Sequence, residues 1–329
     1  MIIAGHHKMD LFITSSGELN RKDDTLVFKN EKVNKIFPIK NIDSIYAYGE
    51  ISINSKLLIF LAKLEIPIYF FNYYGFYSGM FAPRKQTISG KILIEQVNYY
   101  NNPLMKLEIA KEIVFGSIHN MRKTLMQYNL NEEAEKINEY KDTNCSTINQ
   151  LFGIEANAKK FYYKCFNKIL NDENFKFVKR VRQDPDNFIN CLISFGNSLL
   201  YTTVLSEMLK TQLDPSISYM HEPFERRYSL NLDIADIFKP LIVDRVIFSL
   251  INQKMINETH FDKNLNYCYL NPGGREIFLR EYDKKLNSTI KYPKLNRKVS
   301  YKYMLRLECY GLIKHFLKEK DYKSFRIYW

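Results

Sequence analysis

The sequence predicts an α+β chain: a small N-terminal β-sandwich-like domain with one helix, followed by a larger all-α domain. Three observations predict it. The hydrophobic period is mostly two from Asp10 to about Pro83, and it changes to 3.6 after Ser89. The 329 residues amount to roughly two domains. Apolar content of 46% and charged content of 26% are ordinary globular values, which excludes a disordered chain. No uncharged apolar run approaches the ~20 residues that span a bilayer, so no membrane partner is expected. The β domain is expected over residues 9–86 and the helical one over 87–329, with residues 1–8 set aside as an extension that carries no secretory signal.

The elements follow in order. Residues 11–13, 25–28, 35–39, 42–48 and 68–71 are short runs rich in β-branched and aromatic side chains, the composition of strands. Ser16-Gly17-Glu18, Asp23-Asp24 and Tyr74-Gly75 separate them as turns. A last strand pair flanks Gly75 and ends at Met80-Phe81. One helix interrupts at about 55–64, with Leu57, Leu58, Leu61 and Leu64 on one face. Later helices are expected at 90–100, 103–128, 131–141, 147–170, 185–211, 240–256, 272–286 and 300–319. Asn102-Pro103, Asp184-Pro185 and Asn271-Pro272 each set a capping side chain before a proline at the first helical position, and Ser300 opens the last helix.

Charge and cysteine usage narrow the class. The formal net charge is +12, and residues 284–329 hold thirteen basic side chains against three acidic ones, with tyrosines interleaved. Such a stretch suits a polyphosphate backbone, and a solvated lysine-rich surface has the same composition. If the stretch folds independently, removing it should flatten the salt dependence of DNA binding. The five cysteines are widely spaced, odd in number and without a C-x-x-C pair, which disfavours a disulfide scaffold or zinc site and fits a reducing cytoplasm.

Two groups of polar residues stand where the pattern calls for apolar ones. In the helix over 147–170, Glu155 occupies a core-facing slot of the stripe Ile148, Leu151, Phe152, Ala158, Tyr162 and Cys165. A carboxylate is rarely buried unless paired or metal-bound. In residues 221–240, Asp233 and Asp236 share a helical face near His221, and Pro240 leaves the Asp236 carbonyl without its helical hydrogen bond. Glu155, His221 and the aspartates make a hard oxygen and nitrogen set that suits Mg²⁺ or Mn²⁺ rather than structural zinc.

The order and spacing of several blocks resemble the CRISPR-associated protein one family, the CRISPR spacer-acquisition integrases, with subtype I-B the nearest. Residues 16–26 resemble the family's opening hairpin. Tyr48-Gly49-Glu50-Ile51-Ser52-Ile53 and Ile66-Pro67-Ile68-Tyr69-Phe70-Phe71 resemble its later β motifs. Gly153-Ile154-Glu155-Ala156-Asn157-Ala158 resembles the helix bearing the family's glutamate. Arg182-Gln183-Asp184-Pro185-Asp186-Asn187, then Ser194-Phe195-Gly196-Asn197, resemble the next block, and Leu213-Asp214-Pro215 through His221 to Pro240 resembles the metal-site block. Lys239 departs from the family's usual arginine, and Asn197 from its usual aromatic.

The resemblance implies that Glu155, His221 and Asp236 are metal ligands, with Asp233 a second acid beside them, in a helical catalytic domain. Arg84, Arg180, Arg182 and Lys239 are implied as DNA contacts. It implies a homodimer, two of which flank a dimer of a small second CRISPR-associated protein in a heterohexamer. The implied reaction is metal-dependent transesterification, in which 3′-hydroxyls of a protospacer duplex attack phosphodiesters at the CRISPR repeat. His221 is open as a ligand or as an acid on the leaving oxygen. A metal-dependent nuclease on branched DNA without integration, and a non-catalytic DNA-binding scaffold, are the two alternatives.

Overall fold

The structure is a computed structural model describing residues 8–83, 89–141, 143–181, 185–223, 228–264, 267–292 and 295–328. The expected extension, apart from Lys8, therefore lies outside the described residues. The N-terminal part has eight strands: β1 (Met9–Ile13), β2 (Gly17–Lys22), β3 (Thr25–Lys29), β4 (Asn34–Pro38), β5 (Ile42–Ala47), β6 (Ile51–Ile53), β7 (Ile68–Phe71) and β8 (Tyr77–Phe81). They form two four-stranded sheets, β1-β5-β7-β8 and β4-β3-β2-β6. The first is parallel apart from the β7–β8 hairpin, and the second is antiparallel apart from the parallel β2–β6 pair. Between β6 and β7, helix α1 (Ser55–Lys63) is capped by Asn54, whose side chain accepts from the Leu57 amide. The sandwich-like expectation holds; β2 falls in the expected opening hairpin and β6 in the 48–53 β motif, although one is too polar and the other too short to show a period of two.

The first sheet is buried on both faces, which fixes the two halves of the chain to each other. Ile45, Ala47 and Ile68 face Leu19, Leu26, Phe28, Leu57 and Leu61 inside the sandwich. Tyr46, Tyr48, Tyr69 and Phe71 point the other way, into the helical core. Gly75 makes the β7–β8 turn at φ 85°, and a Cβ there would lie 2.6 Å from the ring of Phe195.

A buried ionic network reinforces this junction. Lys302 Nζ lies 2.7 Å from Asp10 Oδ1 and 2.7 Å from Asp43 Oδ2, and Lys210 Nζ bridges Asp43 and Glu207 at 2.5 and 2.8 Å. Arg306 closes on the other Glu207 oxygen at 2.7 Å. Burial alone would push the Asp43 carboxyl up, but Lys302 and Lys210 outweigh it and hold the group well below the usual carboxylate range. Removing one member of such a network strands buried charge. Lys302→Ala is therefore expected to cost about 3 kcal/mol, read as a lower urea midpoint.

The helical part contains α2 (Gly90–Asn101), α3 (Pro103–Gln127), α4 (Asn131–Asn138), α5 (Ile148–Lys164), α6 (Phe166–Ile169), α7 (Phe188–Leu209), α8 (Leu230–Phe238), α9 (Val243–Asn252), α10 (Pro272–Asn287) and α11 (Tyr301–Phe316). Asn102, Asn271 and Ser300 cap their helices as expected. The cap at Asp184 lies outside the described residues; α7 instead begins after Asn187, whose side chain accepts from the Asn190 amide. α7 is long and apolar enough by composition to cross a membrane, yet 83% of its apolar window is buried inside the protein. The 3.6 period is broken by two short hairpins, β9 (Phe261–Asn264) with β10 (Tyr267–Leu270) and β11 (Thr289–Tyr292) with β12 (Arg297–Ser300). Four-residue strands are too short to print an alternation.

The basic stretch over 284–329 does not form a separable tail. Leu305, Leu312, Phe316, Tyr322, Phe325 and Ile327 are buried in the main core. Lys302 and Arg306 are spent on the junction, and Lys323 and Arg326 pair with Glu112 at 3.0 and 3.2 Å. Removing the stretch would unfold the helical part, so the truncation expected to flatten the salt dependence is not a usable test. Lys291, Lys298, Lys314, Lys318 and Lys320 do face solvent.

Candidate active site

Glu155 is on the buried face of α5, with Leu151, Ile154, Ala158 and Tyr162 around it, and is only 8% exposed. Asp233 and Asp236 sit on α8, a helix of nine residues buried on every side. So short a helix is marginal alone and is held by its neighbours. Here α3 supplies the hold. Ser117 Oγ donates to the Asp236 carbonyl at 2.8 Å, Asn120 Nδ2 to the Ile237 carbonyl at 2.8 Å, and Thr124 Oγ1 to the Pro240 carbonyl at 3.2 Å. The Asp236 carbonyl freed by Pro240 thus has a partner from another helix. Asn120 also clasps the residues after α11, accepting from the Ile327 amide at 2.9 Å and donating to the Phe325 carbonyl at 3.1 Å.

The two aspartates have different work. Asp233 is fully buried and accepts from the backbone amides of Tyr219, Met220 and His221 at 2.7, 3.0 and 3.0 Å. It also meets His221 Nδ1 at 2.7 Å. With Nδ1–H donating to Asp233, Nε2 faces the site, 4.0 Å from Asp236 Oδ2. Burial would pull the His221 pKa down, but the bond to Asp233 and the charges of Asp233, Asp236 and Glu155 raise it above the ordinary histidine value. Asp233 therefore builds the loop that carries His221.

Asp236 points into the site. Its Oδ2 is 2.8 Å from Lys159 Nζ, and its Oδ1 bonds Lys239. Burial would raise its pKa; Lys159, Lys239 and His221 outweigh that and hold it well below the usual carboxylate range. Lys159 Nζ also reaches Glu155 Oε1 at 2.8 Å, so one ammonium bridges the two carboxylates. Among the described residues no group of three or more His, Cys, Asp or Glu side chains is disposed to hold a metal ion. The donor set nevertheless suits one: two buried carboxylates converge on a cation, the Lys159 ammonium, and an imidazole nitrogen stands 4.0 Å from one of them.

The remaining expected residues fall differently. Arg180 turns its guanidinium onto α7, 3.2 Å from Asn190 Oδ1 and 2.9 Å from Ser194 Oγ. Lys239 faces inward to Asp236 and the Tyr201 hydroxyl. Arg84 and Arg182 lie outside the described residues. The sequence reading missed Lys159, four residues after Glu155 and thus on its face, and missed the polar row Ser117, Asn120, Thr124 inside an apolar helix face.

Asp244 at the start of α9 was also missed. It is 1% exposed, and its Oδ1 has no hydrogen-bond partner among the described residues. Burial pushes its carboxyl up to about 7 against the pull of Tyr162, Lys239, Arg180 and Lys159. With a folded pKa above the unfolded one, the fold prefers the protonated form. Its cost is absent below pH ~4 and grows as pH rises to about 7. Asp244→Asn is expected to stabilise the protein by ~2 kcal/mol more at pH 8 than at pH 5.5, read from thermal melts.

The family profile described as "CRISPR associated protein Cas1" matches residues 11–284. "CRISPR-associated endonuclease Cas1 3" of Thermodesulfovibrio yellowstonii is 46% identical over 322 residues, covering 97% of this chain and 99% of the relative. "CRISPR-associated protein Cas1 1" of Methanobrevibacter ruminantium is 47% identical over 326 residues, covering 98% and 99%. The solved Cas1 protein of Thermotoga maritima superposes with a TM-score of 0.88 at 40% identity, covering 96% of this chain and 99% of that one. A casposase bound to integration product shares the fold, with a TM-score of 0.83 at 19% identity over 97% and 94% of the two chains.

Proposed function

The chain belongs to the CRISPR-associated Cas1 family, and we propose that it is an adaptation integrase whose reacting centre is the cluster Glu155, His221 and Asp236. The observation that carries this reading is the convergence of two buried carboxylates, 81 residues apart in sequence, on a single ammonium, with the His221 Nε2 4.0 Å from one of them. Glu155, His221 and Asp236 would hold Mg²⁺ or Mn²⁺. That ion supplies charge neutralisation at the attacked phosphate and a lowered pKa for the attacking 3′-hydroxyl.

The chain's own groups set up the rest. Asp233 fixes the His221 tautomer so that Nε2 faces the site, as a neutral donor atom or, protonated, as an acid toward the leaving oxygen. Lys239, beside Asp236, adds positive charge near a phosphate. The exposed lysines after α10 and in and after α11 hold the DNA backbone without reading its sequence. The substrate is protospacer duplex DNA and the acceptor a CRISPR repeat. The working unit is a heterohexamer in which two homodimers flank a dimer of the small Cas2 partner, with a division of this chain at about residues 86–87 separating a dimerising part from a catalytic one.

The test is a joining assay with purified protein, Cas2, Mn²⁺, a labelled protospacer duplex and a supercoiled repeat-bearing plasmid. Covalent spacer–plasmid junctions at the repeat edges are expected. Nicked or cut DNA without junctions would instead favour a nuclease on branched DNA.

A further inference from the structure

Two buried acids, Glu155 and Asp236, are balanced within the protein by two ammonium groups, Lys159 and Lys239. Asp233 is separately satisfied by three amides and the His221 ring. The cluster is therefore close to neutral before any metal arrives. A divalent ion held by Glu155 and Asp236 would sit against oxygens that Lys159 meets at 2.8 Å, so ion and ammonium repel each other and compete for the same two carboxylates. Lys159 shares the face of α5 that carries Glu155, but 17% of its side chain is accessible and its stem is an unbranched four-carbon chain, so its ammonium can withdraw toward solvent without moving the helix. Once withdrawn, it needs a new anion, and a DNA phosphate at the site is one.

We propose that Lys159 is an internal counter-ion that competes with the divalent metal for Glu155 and Asp236, keeping metal affinity low until a DNA phosphate accepts the displaced ammonium. The inference rests on the metal-site reading above. Metal and DNA then bind with positive coupling, each raising the affinity of the other by the same factor. Lys159 acts through the ligands and is a positioning residue.

Mn²⁺ binding to the full chain, followed by electron paramagnetic resonance of the free ion, tests it with and without a 30-bp duplex of arbitrary sequence. Lys159→Met is expected to bind Mn²⁺ about tenfold tighter than wild type without DNA, with Lys159→Arg remaining weak. DNA should tighten Mn²⁺ binding about tenfold in wild type and much less in Lys159→Met. A larger Mn²⁺-induced rise in melting temperature for Lys159→Met is the matching stability signature. Unchanged or weaker Mn²⁺ affinity in Lys159→Met overturns the proposal, as does an absence of DNA coupling in wild type, which needs no variant. Glu155→Gln separates the two levels. If it leaves Mn²⁺ binding intact, the metal site itself is misassigned. If it abolishes binding while Lys159→Met changes nothing, only the role of Lys159 falls.

Discussion

Glu155→Gln is expected to lower metal-dependent strand joining at least ~10³-fold, equivalent to ~4 kcal/mol of transition-state stabilisation, while DNA affinity measured without divalent metal stays within about twofold. The substitution keeps the shape of the side chain and removes its charge. Lys159 and Lys239 would both keep Asp236 as partner, so neither ammonium is left without a carboxylate. DNA binding is held because the solvent-facing lysines of residues 291–320 are untouched. Joining rates in Mn²⁺ with Cas2, alongside filter binding of the duplex, separate chemistry from binding. Joining at the wild-type rate would remove Glu155 from the site.

Asp233→Ala should damage folding as well as chemistry. It leaves three amides, of Tyr219, Met220 and His221, without an acceptor in a fully buried place. Each orphaned donor costs ~1–3 kcal/mol, and relaxation of the loop recovers part, so a net loss of about 4 kcal/mol is expected. Urea unfolding reads that loss. Asp233→Asn keeps an acceptor oxygen but must turn one N–H toward the cluster, so an intermediate loss is expected. If Asp233 were chiefly a proton acceptor in the reaction, Asp233→Ala would stop joining and leave the urea midpoint unchanged.

The sequence made some of this legible and hid the rest for physical reasons. Glu155 stood out because a carboxylate interrupted an apolar stripe, and Asp236 because a proline freed its carbonyl. What Asp233 does was not legible. It depends on the 219–221 backbone folding back over α8, a contact with no local pattern. Helix α8 itself gave no period because all nine of its residues are buried. Lys159 was readable in principle from its spacing to Glu155, but a lysine at i+4 usually signals a surface pair. The strands of the first sheet were found by composition. That its second face would be covered by α7 was not, since Tyr46 and Tyr48 suit a solvent-facing position as well as a buried one.

The clasp at Asn120 bears on when the protein becomes competent. Asn120 joins the end of α8 to residues 325 and 327, more than 200 positions further along the chain than itself. Contacts that distant close late, after the loop entropy of everything between has been met. During synthesis α5 and α8 emerge well before residues 325–327, so Asp236 is seated in its final frame only when that last segment docks. A growing chain would thus carry Glu155 and Asp236 without the finished cluster, and a chain cut short before residue 325 is expected to lack its final frame.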